Sequence, residues 1–263
     1  MTRRKPAPDP LATARRAADD DDADGFLALT AALAPVDLHT LVFRELRDAW
    51  PLWILAPRIR GFADADLRLF LRSAVAVAPD HSAVHELLAE CLARAHAGNA
   101  PLWANHLGHM AYELVGDRNF DAAITLYAAA ITLPCEVDLS LYCNALWVLQ
   151  HDNTGRPVDP VLNDRFLAAC LPWAPKNPAI FYNAACLTYE MGDIDGTLAH
   201  LEACLAHGFK NPAQVQREPL FAPLRHSDPR FDALFTAHAA RKKPPRKTTA
   251  RKQTTRRSRR DSD

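Results

Sequence analysis

Between residues 177 and 206 the apolar positions fall at helical spacing, break once, and resume. Phe181, Ala184, Ala185 and Thr188 mark one helical face. Met191-Gly192-Asp193 interrupts it, and Ile194, Thr197, Leu198, Leu201 and Leu205 restore a 3.6-residue period. A connection this short forces the two predicted helices to pack antiparallel as a hairpin. The small residues Ala184, Ala185 and Ala203 allow their backbones to approach closely.

Similar patterns recur upstream. Gly108, Tyr112, Gly116, Phe120, Ala123, Tyr127, Ala130 and Pro134 recur at three- or four-residue steps from Pro101. Here Gly116-Asp117-Arg118-Asn119 reads as a loop two residues longer than the pattern of the family that the downstream unit resembles. A further unit spans 138–175, with Tyr142, Ala145 and Leu149 on its first helix and Phe166, Ala169 and Cys170 on its second. Between these lies HDNTGRPVDP (151–160), a polar loop too long for an ordinary hairpin turn. Closer to the start, helices are predicted over 39–50, 64–77 and 82–97. Pro51 and Pro57 bracket a short apolar segment between the first two. The acidic run Asp19–Asp24 places carboxylates at the start of a helix beginning near Asp24, where they favour the macrodipole.

The best-marked unit resembles a tetratricopeptide repeat (TPR). The family's succession of small residue, glycine, aliphatic, small, large and small residues is matched by Ala185, Gly192, Ile194, Thr197, Leu201 and Cys204. Thr188 stands where the family usually has tyrosine. Gly208-Phe209, PLFAPLR (219–225) and DPRFDAL (228–234) resemble the closing segment of bacterial TPR arrays. The resemblance implies an all-α, right-handed solenoid of helical hairpins. The expected organisation is a disordered acidic and proline-rich leader (1–24), with helical character confined to 11–18. It continues with an N-terminal helical region of degenerate repeats or a cap (25–99), a TPR-like array with its closing segment (100–235), and a disordered basic tail (236–263).

Composition supports helices throughout: 49% of residues are hydrophobic and only 9 are glycine. The zero formal net charge conceals a division. The last 23 residues contain 11 of the 31 basic residues and 2 of the 31 acidic ones, so residues 1–240 carry an acidic excess of nine. Six cysteines without a CxxC pair are expected to be buried free thiols in a reducing compartment. Neither a signal peptide nor a long apolar stretch is present in the sequence, and the expected location is cytoplasmic.

Little in the sequence points to catalysis or metal binding. His85-Glu86 begins a zinc-protease pattern, but Ala89 replaces the second histidine. The pairs His81/His85 and His106/His109 lack an indicated third ligand. There is no nucleophile elbow and no glycine-rich phosphate loop. The expectation is a non-enzyme without catalytic, metal or cofactor sites.

The resemblance instead points to a concave groove lined by the first helix of each hairpin. Carried over by residue, the lining is Asn105, His109, Tyr112 and Glu113; then Tyr142, Leu146, Leu149 and Gln150; then Tyr182, Cys186, Tyr189 and Glu190. The Lys/Asn carboxylate clamp of the family's chaperone-tail binders is absent. The leading expectation is a scaffold for an unidentified protein or peptide. The alternative is nonspecific DNA or RNA binding by Arg241, Lys242, Lys243, Arg246, Lys247, Arg251, Lys252, Arg256, Arg257, Arg259 and Arg260, which could neutralise phosphates.

Overall fold

The computed structural model describes residues 10–20, 22–46, 50–133, 135 and 138–242. Among these the chain is helical, with no strand. It opens with α1 (Pro10–Asp19) and α2 (Ala23–Thr30). The helix expected over 11–18 is α1, and its Ala14, Ala17 and Ala18 are buried in the core. The acidic run acts locally. Asp22 caps α2, its carboxylate accepting the Gly25 N–H at 2.9 Å.

Next come α3 (Pro35–Thr40), which widens into a π-helical stretch over Leu41–Leu46, α4 (Trp50–Ile59), α5 (Asp64–Val77) and α6 (Ser82–Arg94). Two arginines close the helix ends in this region. Arg58 donates to the Thr30 and Leu33 carbonyls. Arg94 donates to the Arg60 and Phe62 carbonyls, to Asp64 at 2.7 Å and to Glu90 at 2.8 Å. Carbonyls left over at a helix end need such donors, and a guanidinium can serve several at once.

The most extensive helix pairs are α7 (Ala100–Gly116) with α8 (Phe120–Ala130), and α12 (Ala179–Glu190) with α13 (Ile194–Ala206). Between them lie α9 (Ser140–Trp147), the single turn α10 (His151–Thr154), α11 (Pro160–Cys170) and a 3₁₀ segment, Leu171–Lys176. Helix α9 packs against α7, α8, α11 and α12.

The two long hairpins turn in the same way. In the second, the Asp193 N–H donates to Thr188 O at 3.0 Å and the Gly192 N–H to Tyr189 O at 2.9 Å. In the first, the Asn119 N–H donates to Leu114 O at 2.8 Å and the Arg118 N–H to Val115 O at 3.0 Å. Both turns are Schellman-type closures with a left-handed residue, Gly192 at φ 80° and Arg118 at φ 59°. Both next helices are then capped, by Asp193 on Gly196 N–H and by Asn119 on Ala122 N–H. The longer turn expected at 116–119 is not found. Residues 117–119 and 191–193 connect their helices alike.

Inside the second hairpin, the Thr188 and Thr197 hydroxyls meet at 3.2 Å, and each also reaches a carbonyl one turn earlier in the chain. These two buried polar groups are thus satisfied. One continuous apolar cluster runs from Ala14 to Leu187, so no break in the core marks residue 99. A second cluster begins at Ala185 and includes the closing segment: α14 (Pro212–Arg217), the 3₁₀ turn Pro219–Phe221, α15 (Ala222–Ser227) and α16 (Pro229–Lys242). Helix α16 carries order to Lys242, past the expected start of the disordered tail at 236. Among the described residues, no helix is long and apolar enough to cross a membrane.

Candidate functional site

A trough opens between α7 and α9. One end, with a cavity of about 600 Å³, is lined by Asn105, Gly108, His109 and Tyr112 of α7 and by Asp138, Ser140, Leu141 and Asn144. The other end, about 350 Å³, is lined by Tyr112, Val115, Gly116, Tyr127, Asn144 and Trp147. Tyr112 and Asn144 line both, so the two cavities adjoin.

The local sequence makes this opening. Gly108 has no side chain, and Leu141 fills the vacant space; a Cβ built on Gly108 would lie 2.2 Å from Leu141 Cδ1. That approach brings α9 against the middle of α7. Further along, Tyr112 stands 60% exposed, a large exposure for an aromatic ring. Below it, Tyr127 of α8 is buried and its hydroxyl has no hydrogen-bond partner. Asn144 is near enough to oppose slightly the burial that pushes the Tyr127 hydroxyl up, but no donor–acceptor pair of hydrogen-bond geometry forms.

The expected groove residues separate into three groups. Asn105, His109 and Tyr112 line the trough. Glu113 lies beside it, paired with Arg72 of α5 at 2.7 Å and approached by His109 at 3.4 Å. In the middle unit the expectation fails. Tyr142, Leu146, Leu149 and Gln150 are buried, and none lines the trough. Tyr142 stacks on Trp173 with ring centroids 5.3 Å apart, and Gln150 donates to the Asn183 carbonyl. The residues of α9 that face the opening are Ser140, Leu141, Asn144 and Trp147 instead.

The third group is already covered by the chain itself. Tyr182 stacks on Phe209, with centroids 5.5 Å apart, and its hydroxyl donates to the Glu218 carboxylate. Burial, followed by this bond, pushes the Tyr182 hydroxyl well above the usual phenol range. Tyr189 meets Phe221 edge-on at 5.6 Å, and Cys186 is buried. Glu190 holds the 151–160 segment: its carboxylate accepts the His151 N–H at 2.8 Å and the Asp152 N–H at 3.1 Å. Burial pushes the Glu190 carboxyl up, and these two donors oppose the shift.

The shared turn geometry explains part of the misplacement. Superposing Arg118 on Gly192 aligns Tyr112 with Cys186, Gly108 with Tyr182, and Val115 with Tyr189. The lining expected on α7, Asn105, His109, Tyr112 and Glu113, therefore stands three residues out of register with that expected on α12. The positional signal for correcting it was Asn119, which matches the N-cap Asp193.

The histidine pairs have local contacts. His81 Nδ1 accepts the Ala83 N–H at 3.1 Å, and His106 contacts Arg68 and the Trp103 ring. No group of three His, Cys, Asp or Glu side chains suited to a metal occurs among the described residues. The six cysteines are free, and burial pushes the Cys91, Cys170 and Cys204 thiols up to about 12. Of the basic tail residues, Arg241 lies 3.8 Å from Glu202 and Lys242 ends α16; Lys243, Arg246, Lys247, Arg251, Lys252, Arg256, Arg257, Arg259 and Arg260 lie outside the described residues.

No family model, curated protein or solved structure matches this chain.

Proposed function

We propose that this protein is a non-catalytic, TPR-like helical scaffold that holds a peptide segment of a partner protein in the trough between α7 and α9. The observation that carries this reading is the pair of adjoining cavities that share Tyr112 and Asn144, with Tyr112 largely exposed. Aromatic side chains supply contact area at small entropic cost, and a cluster of them is a common anchor for a partner. The matching turns at Arg118 and Gly192 support the repeat reading. Photo-crosslinking from an amino acid placed at Tyr112 in the native host should capture one protein partner, and the same group placed at exposed Val161 should not. Capture at both positions, or neither, counts against the trough.

A second reading rests on charge. The final 23 residues hold 11 cations, a density suited to phosphates of nucleic acid. Under it, removal of residues 243–263 abolishes binding to a random-sequence DNA duplex, and affinity falls steeply with salt. Under the scaffold reading, the partner survives truncation, nuclease and moderate salt.

A further inference from the structure

The face of α12 that corresponds to the open face of α7 is occupied, and its occupant is visible. Glu218 and Phe221, three residues apart, sit on it. The Glu218 carboxylate accepts from the Tyr182 hydroxyl, and the Phe221 ring packs edge-on against Tyr189. Phe221 is buried there, in the same cluster as Cys186. In turn register, Tyr182, Cys186 and Tyr189 correspond to Gly108, Tyr112 and Val115, all of which line the trough. The chain thus covers one first-helix face with its own closing segment and leaves the equivalent face of α7 open.

The trough offers chemistry for a similar occupant. Its narrower end has apolar walls from Tyr112, Val115 and Trp147, with no charged side chain in its lining. Its volume of about 350 Å³ suits a single large side chain better than a whole peptide. Asn144 and Tyr127 both line it, and the buried Tyr127 hydroxyl has no hydrogen-bond partner. If the Asn144 carbonyl oxygen turns toward that hydroxyl, its amide N–H groups face the trough and require an acceptor. An occupant bearing an acceptor oxygen would satisfy both groups together.

Resting on the scaffold reading, we infer that the α7/α9 trough binds a partner segment that inserts one aromatic side chain between Tyr112 and Trp147 and places an acceptor oxygen, within about one helical turn of it, on Asn144. The chain's own terminal residues do not meet this description, since residues 241–263 contain no aromatic side chain.

The test is selection of a random dodecapeptide display library on the full-length protein, followed by titration of the enriched sequence as a synthetic peptide. The expected result is a consensus with one Phe, Tyr or Trp and a carbonyl- or carboxylate-bearing side chain within four residues of it. Tyr112→Ala and Asn144→Ala should each weaken the peptide on the order of ten-fold. Tyr127→Phe should weaken it several-fold while leaving the thermal midpoint unchanged or raised, because it deletes an unsatisfied hydroxyl. A purely structural role for Tyr127 predicts the reverse pattern. Peptides that bind with full affinity to all three variants would overturn this inference but leave a peptide-binding scaffold standing. Failure to enrich any consensus would overturn both.

Discussion

Arg118 and Gly192 occupy the same place in two hairpins, each the left-handed residue that lets one helix end and an antiparallel helix begin. Only the second is a glycine. A side chain at positive φ crowds its own backbone, at a cost of roughly 1 kcal/mol. Arg118→Gly is therefore expected to stabilise the protein by about that amount, read as an upward shift in the urea midpoint. Gly192→Ala should lower it by a similar amount. A destabilised Arg118→Gly protein would mean that the arginine side chain has a role beyond its backbone.

Arg94 joins four acceptors from three segments: the Arg60 and Phe62 carbonyls, Asp64 and Glu90. Arg94→Ala leaves the end of α4 and the start of α5 without their donor. We expect a loss of about 2–3 kcal/mol, the range for charge-assisted bonds in a part-buried setting. Arg94→Lys should recover only part of it, because an ammonium cannot span the same fork. Urea unfolding of both variants checks the order.

Acid should weaken the fold before its carboxylates are titrated. His39 is buried between Phe43 and Phe70, with Nε2 2.8 Å from Ser73 Oγ; burial and then Arg44 hold it below its ordinary value of 6.5. Burial also lowers His200 and, with Arg68, His106. Unfolding lets these rings take up protons that the native state refuses. Their contribution is complete above about pH 6.5 and is lost as pH falls through 6.5 toward the lower folded values. Glu190 works in the opposite sense nearer pH 4.5, since its raised carboxyl prefers the native state when protonated. The urea midpoint should therefore drop between pH 7.5 and 5.5, and the drop should shrink in His39→Gln. An unchanged slope in that variant would assign the effect to the other histidines.

The Glu190 cap should be visible locally. Glu190→Ala removes the acceptor for two N–H groups at the start of α10. The expected loss is about 1 kcal/mol, with faster amide exchange at His151 and Asp152. Exchange rates at Gly196, whose own cap is Asp193, should not change.

How much of this was legible in the chain depended on which residues announced themselves. The second hairpin was readable because Gly192 marks its turn and Asp193 its cap. The first was misread because Arg118 adopts the same conformation without a glycine, while Gly116 and Gly108, neither at positive φ, drew the register toward themselves. Gly108 matters for another reason: it admits Leu141. Tyr142, Leu146 and Gln150 share a helical period with a plausible groove face, and periodicity alone cannot tell that α11, α12 and the Trp173 ring cover α9. The packing of Glu218 and Phe221 over Tyr182 and Tyr189 is a long-range contact that no local pattern encodes.

The bond from Glu190 to residues 151 and 152 ties together two stretches of chain almost forty residues apart. Repeat-like hairpins invite shortening, duplication and exchange as though each were a detachable block. Here the last residue of one hairpin's first helix finishes a turn that belongs to the preceding unit. A version of the protein ended after α11 would therefore lose more than its final hairpin, because the 151–160 segment would be left without its clasp. Any redesign of these hairpins must carry Glu190 and the two amides it holds as one inherited piece.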